Sequence, residues 1–402
     1  MAHAGSAGRG KIMLFDRAEY LARIARAKAR MVAAGIDVLF VANPANQFWL
    51  TGYDGWSFYT PQMVVLSIDE EEPIWFGRAM DAVGASFTVF MAERRIVPYP
   101  DEYIGSRERH PMQYLASIAR DCGWGAKRIG VEMDDYYYTA HWHELLTRGL
   151  PDARFFDAFL LVNWCRLKKS PREIQYLDEA GTISAAAMQA AVDACKIGVR
   201  QCDVMAELYK ITIGGTREIG GTFPCKPPNA MVGEICSAPH LSWSDRPLRR
   251  GEIFYIEQGG VRHRYHAPLS RCIHLGKPPQ KMLDTTAVIV EGLEAALAAV
   301  RPGTTLETVE DAWRRVIAKH GIVKESRLGY PVGIGFPPTW GELTCSIRKG
   351  DHTVLEPGMT LHCIPALWLE DYGLVVSESF VVTETGARTF ASFPRKLFCV
   401  DG

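Results

Sequence analysis

The stretch that most constrains this chain is Ser170-Pro171-Arg172-Glu173. A serine at the cap, a proline at the first helical position and a glutamate at the third satisfy the open N–H groups of a helix start from both directions. The Ala-rich residues that follow predict one long helix reaching about Cys195. Everything before this point reads differently from everything after it. Upstream, residues 38–42, 63–68, 73–76 and 128–132 read as strands, and residues 17–34, 112–122 and 136–149 as helices. Residues 43–46 read as a turn and residues 159–163 as a last strand-like run. Such alternation predicts an α/β domain over residues 1–163. The second domain, residues 164–402, is expected to hold helices over 202–211, 284–300 and 305–320. Loops are expected over 224–239 and 329–335, and a last strand over 373–384.

With 402 residues, 48% hydrophobic and 23% charged, the chain can bury two cores. A net charge of −1 gives no bulk attraction to nucleic acid or to an anionic membrane. Neither a secretory stretch nor an apolar run of about 18 residues is present, so a cytoplasmic protein without membrane spans is expected. Residues 1–11 read as a flexible lead-in. None of the ten cysteines has Cys-x-x-Cys spacing, which predicts reduced core thiols rather than a zinc or redox pair. Cys236 and Cys363 stand as lesser candidates for a reactive thiol.

Candidate chemistry gathers around Glu257. It ends the apolar run Ile253-Phe-Tyr-Ile256, and Gly259-Gly260 then reads as a turn. A return strand from Tyr265 brings His266, Ser270 and Arg271 back towards the carboxylate. His240 lies in a Pro-limited loop. Glu378 interrupts an apolar run, so it either points to water or is buried with a partner. These three supply a base that titrates near neutrality and two carboxylates. Trp56, Phe58 and Tyr59 crowd a Gly-containing turn, either as a pocket or interface loop or as a plug of the core. His141-x-His143-Glu144 lacks the spacing that sets two metal ligands on one helical face, and no Gly-x-Ser-x-Gly elbow occurs.

An ordered set of motifs resembles the pita-bread family of methionine aminopeptidase, prolidase and creatinase. The set is Arg166-x-x-Lys-Ser-Pro-x-Glu-Ile, Pro239-His240, Glu257-x-Gly259 with Arg271, Gly329-x3-Gly333, Pro357-Gly-Met and Val382-Thr-Glu-x-Gly. The resemblance implies an α+β catalytic domain with a curved antiparallel sheet behind a creatinase-type α/β domain. Metal-dependent members hold two ions with two Asp, one His and two Glu. At those positions this chain carries Glu257, Pro268, Tyr330, Ile364 and Ser377, with Glu378 beside the last. One carboxylate among them implies no metal and no other cofactor, as in creatinase, whose proton-transfer histidine corresponds to His240.

Within the metal-free branch, Leu50-Thr-Gly-Tyr-Asp-Gly-Trp-Ser-Phe-Tyr59, Gly130-Val-Glu-Met-Asp134 and Arg264-Tyr-His-x-Pro-Leu-Ser-Arg271 are similar to the ectoine hydrolases. Residues 220–237 depart from that pattern. The resemblance implies a homodimeric hydrolase that opens a cyclic amidine. Glu257 would act on the amidine carbon, His240 would move the proton and Glu378 would orient a ring N–H. Arg78 or Arg271 would pair with the substrate carboxylate, with Tyr265, His266 and Tyr330 lining the pocket. Trp56, Phe58 and Tyr59 would cover the ring from a partner subunit. Two other outcomes stay open: a creatinase-like hydrolase of another guanidino, amidine or cyclic amide substrate, and a catalytically silent binding protein.

Overall fold

The computed structural model describes residues 10–400 and divides into two compact units, one ending at Arg166 and one beginning at Leu167. The expected lead-in falls mostly on residues 1–9, outside those described. Lys11 is tied down, its ammonium donating to the Val89 and Met91 carbonyls.

In chain order the first unit runs α1 (Arg17–Ala33), β1 (Val38–Val41), α2 (Pro44–Thr51), β2 (Met63–Ser67), β3 (Ile74–Arg78), α3 (Ala82–Thr88), β4 (Ile96–Tyr99), α4 (Pro111–Asp121), β5 (Arg128–Val131), α5 (Ala140–Gly149), β6 (Arg154–Asp157) and α6 (Leu161–Arg166). Six strands form one mixed sheet in the order β4-β3-β2-β1-β5-β6. Its apolar face packs Phe40, Val65, Phe76 and Ile129 against Met112 and Leu115 of α4 and Leu146 of α5. Two expectations fail here. Residues 43–46 start α2 rather than turn: Asn43 Oδ1 accepts from the Ala45 and Asn46 N–H groups, and Pro44 takes the first helical position. Residues 161–166 are helical, and the strand of this region is β6.

The second unit opens with α7 (Pro171–Ala194), whose capping box forms as the sequence predicts: Ser170 Oγ accepts from Glu173 N, and Glu173 accepts from Ser170 N. It continues with α8 (Gln201–Gly214), β7 (Asn229–Val232), β8 (Ile253–Arg262), β9 (Tyr265–Leu275), α9 (Gln280–Ala299), α10 (Leu306–Ala318), β10 (Gly329–Phe336), β11 (Thr339–Gly341), β12 (Thr360–Cys363), β13 (Ala366–Trp368), β14 (Gly373–Val375), β15 (Glu378–Val382), β16 (Ala387–Thr389) and β17 (Phe398–Val400). The large, mostly antiparallel sheet runs β16-β15-β12-β10-β9-β8-β7, with β11 and β17 joined to β10 and β9. This is the expected α/β domain followed by a pita-bread domain.

The Gly259-Gly260 pair does not turn the chain. β8 runs through it, and the reversal falls at His263-Arg264, with φ of 47° and 69°. Two consecutive left-handed residues make the tight hairpin turn that matches strand twist. Gly260 is glycine because α7 crosses there: a Cβ would lie 2.3 Å from the Ala180 carbonyl oxygen. Ser184 of α7 instead accepts from Gly260 N–H at 2.7 Å. The expected loop over 329–335 is strand β10, and the expected last strand divides into β14 and β15. Among the described residues every cysteine is free. Cys236 and Cys363 are buried, and burial raises both thiols, Cys363 to about 12, which keeps them protonated and unreactive.

Candidate active site

Glu257 faces Asn229 across the β7–β8 pair and Ser270 across the β8–β9 pair. It is buried, and its two oxygens have different surroundings. Oε2 accepts from Asn229 Nδ2 at 2.7 Å and from the Tyr255 hydroxyl at 3.1 Å. Oε1 has looser company, with the Tyr330 hydroxyl at 3.5 Å and His362 Nδ1 at 4.0 Å. One oxygen is therefore fixed and the other is left open to react. Burial, with the Glu257 charge beside them, raises both phenols, Tyr255 and Tyr330, so each keeps its proton and serves as a donor.

His362, on β12 opposite Tyr330, closes the back of the site. Its Nδ1 lies 3.3 Å from the Tyr330 hydroxyl and its Nε2 lies 2.8 Å from Ser377 Oγ. Ser377 Oγ also accepts from Ser270 N–H at 2.8 Å, which pins it. Trp340 Nε1 donates to the Tyr330 hydroxyl at 3.1 Å. Burial lowers His362 to about 4 despite the pull of Glu257, so the imidazole is neutral. Ser377, His362 and Glu257 resemble a nucleophile triad, but Ser377 and His362 are wholly buried and the Ser377 oxygen is held by the Ser270 N–H. The serine instead orients the ring that backs Tyr330 and Glu257.

The remaining expected site residues divide. His266 shares the Glu257 face by strand alternation, but both ring nitrogens are engaged: Nδ1 with the Arg264 carbonyl at 2.8 Å and Nε2 with Cys225 N–H at 3.0 Å. Burial drives its pKa to about 3, and its work is to hold the segment at Cys225. Tyr265 and Arg271 alternate to the opposite face. The Tyr265 hydroxyl donates to Glu173 at 2.8 Å. Arg271 is fully buried and directs its guanidinium at the Ser270, Ser377, Phe393 and Pro394 carbonyls and at Glu378 Oε1, 2.8 Å away. Glu378 also takes Arg395 Nε at 3.1 Å. It is thus the buried counter-ion of two arginines, not a neighbour of Glu257, and Arg271 has no donor left for a substrate.

His240 lies on the loop beyond β7, exposed and with φ of 70°, and the structure does not bring it to Glu257. In the first unit, Arg78 pairs with Asp101 at 2.5 Å. Trp56 packs edge-on against Phe58 at 4.5 Å and Phe58 against Tyr137 at 5.2 Å, while Tyr59 is 74% exposed. Sequence reasoning passed over Asn229, Tyr255 and His362. The available signal was a polar side chain inside a buried strand, since Leu361-His362-Cys363 is otherwise apolar.

Comparison with known proteins agrees with this architecture. The profile of metallopeptidase family M24 matches residues 175–384, and that of the creatinase/prolidase N-terminal domain matches residues 23–168. A hydrolase/peptidase of Sinorhizobium fredii, y4tM, is 46% identical over 97% of this chain and 100% of its own. The ectoine hydrolase of Halomonas elongata is 44% identical over 96% of this chain and 98% of its own. A crystal structure of a dipeptidase from Pyrococcus horikoshii superposes with a TM-score of 0.78 at 20% identity, covering 94% of this chain and 100% of that one, which shows the fold.

A metallopeptidase family implies metal, and the donor set can be tested for it. At the positions where the resemblance implies metal ligands stand Glu257, Pro268, Tyr330, Ile364 and Ser377, and His362 is spent on Tyr330 and Ser377. Among the described residues no three His, Cys, Asp or Glu side chains are grouped so as to hold an ion. A divalent cation needs several oxygen or nitrogen donors, and these residues do not fit a resident pair. No helix among those described is long and apolar enough to cross a membrane.

Proposed function

Because the chain belongs to metallopeptidase family M24, with a creatinase/prolidase N-terminal domain, we propose that it hydrolyses a C–N bond of the cyclic amidine ectoine without a metal, opening the ring to an N-acetyl-diaminobutyrate. The observation that carries this reading is the asymmetric Glu257 carboxylate, one oxygen fixed by Asn229 and Tyr255 and one open. The identity to an ectoine hydrolase over almost the whole chain supports the substrate.

An amidine is cationic at neutral pH, so the buried carboxylate is its natural counter-ion. Glu257 Oε1 then attacks the amidine carbon or takes the proton of the water that does. The Tyr330 hydroxyl, backed by neutral His362, donates to the charge that develops beside it. His240 supplies the proton to the departing nitrogen. This step needs its loop to close, and the left-handed conformation of a non-glycine residue marks that loop as strained. A homodimer in which the Trp56–Tyr59 loop of one subunit covers the ring held by the other belongs to the same proposal.

The test is turnover of ectoine by purified protein, with and without a strong chelator. Ring opening that the chelator leaves unchanged is the expected result. Loss of turnover in chelator, restored by metal, overturns the metal-free chemistry. Turnover of creatine instead of ectoine moves the substrate to the guanidino acids.

A further inference from the structure

The segment from Cys225 to Asn229 is fastened to the site at both ends. Cys225 N–H donates to His266 Nε2 at 3.0 Å, and Asn229 Nδ2 donates to Glu257 Oε2 at 2.7 Å. Between them Lys226-Pro227-Pro228 leaves little backbone freedom. Lys226 is thereby carried over the indole of Trp340, its ammonium 4.1 Å from the ring centroid. Trp340 is buried and its Nε1 donates to the Tyr330 hydroxyl, which faces Glu257. The cation, the indole, the phenol and the carboxylate thus form one continuous wall.

Other cations near this wall are already committed. Arg271 is saturated by carbonyls and Glu378, Arg395 is paired with Glu378, and Arg327 donates to Ser346 while lying over the Tyr330 ring. The Lys226 ammonium has no hydrogen-bond or ion-pair partner among the described residues. Its charge is felt inside the site, where it helps to keep His362 unprotonated. A lysine held on an aromatic face without a counter-ion stands at one end of this wall, and the buried Glu257 carboxylate stands at the other, so the wall carries opposite charges at its two ends.

We infer that Lys226 is the specificity-determining cation of this site and binds the carboxylate of a substrate whose other end, a cationic amidine, is taken by Glu257. This rests on the functional reading above and adds to it the side chain that holds the carboxylate of the zwitterionic ring. It also gives the divergent segment before His240 a role: the anchor lies there and not on Arg78 or Arg271.

The experiment compares kcat and KM for ectoine and for the same cyclic amidine lacking the carboxylate, in the wild type, Lys226→Met and Lys226→Arg. The expected result is a preference of the wild type for the acid that falls about tenfold or more in Lys226→Met. The loss resides in KM, kcat stays near that of the parent, and Lys226→Arg recovers most of it. An unchanged preference in a Lys226→Met protein that still opens the ring overturns the role of Lys226 and leaves the functional reading standing. A wild type that opens neither ring overturns the functional reading, and this inference with it.

Discussion

Glu378 and His240 are both polar residues in a hydrolase domain, and their surroundings give them opposite consequences. Glu378 is 1% exposed and neutralises Arg271 and Arg395. Removing one charge from a buried pair leaves the other uncompensated, at a cost of about 3–5 kcal/mol. Glu378→Gln is therefore expected to lower the unfolding free energy by an amount of that order, while kcat per folded molecule stays near that of the parent. A large loss of kcat at unchanged stability would return Glu378 to the reacting groups. His240 makes no hydrogen bond among the described residues, so His240→Asn is expected to leave the unfolding midpoint in place. If His240 is the proton donor, kcat falls by roughly a hundredfold or more. Unchanged turnover in that variant would pass the proton role to the Tyr330–His362 pair.

At the scale of the element, the β8–β9 hairpin carries the site and α7 sets its position. The crossing depends on the missing Cβ of Gly260, so Gly260→Ala is expected to destabilise by about 1–3 kcal/mol through displacement of α7. Chemical denaturation reads that loss, and a variant as stable as the parent would show that the helix can shift freely. The same residue explains how far the sequence could be read. Ser170, Pro171 and Glu173 announce their helix because a capping box is complete within four residues. Gly260 looks like a turn residue from its neighbours, yet its reason is a helix some 80 positions earlier, which no local pattern contains. Alternation alone separates His266 and Ser270, on the Glu257 face, from Tyr265 and Arg271, on the other. That signal was present and outweighed by the charge of Arg271. The pairing of Glu378 with Arg271 and of His362 with Ser377 joins distant strands, and only the assembled sheet reveals it.

Taken whole, the chain holds buried titrating groups of opposite sign in its two units. In the second unit His362 and His266 are neutral when folded, with pKa values lowered to about 4 and about 3. Unfolded, each takes a proton near 6.5, so the unfolded state binds more protons below that pH. Their contribution is complete above 6.5 and is lost as the pH falls from 6.5 towards 4. His362 alone accounts for roughly 3 kcal/mol of it. In the first unit Glu132 accepts from Ala42 N, Asn43 N and Asn46 Nδ2, but burial and the neighbouring Asp135 raise its pKa to about 8. There the folded state holds the extra proton. That contribution is present below the ordinary carboxylate pKa and is lost as the pH rises from about 4.5 through 8. Falling pH below 6.5 is thus expected to loosen the second unit, and rising pH between about 4.5 and 8 the first. Hydrogen exchange followed by peptide across pH 4 to 9 separates the two. Glu132→Gln should remove the weakening between about pH 4.5 and 8 from residues up to 166 while leaving the acid weakening beyond 167 untouched. Parallel loss of protection in both units at both extremes would mean that the surface charges, and not these buried groups, set the pH limits of the fold.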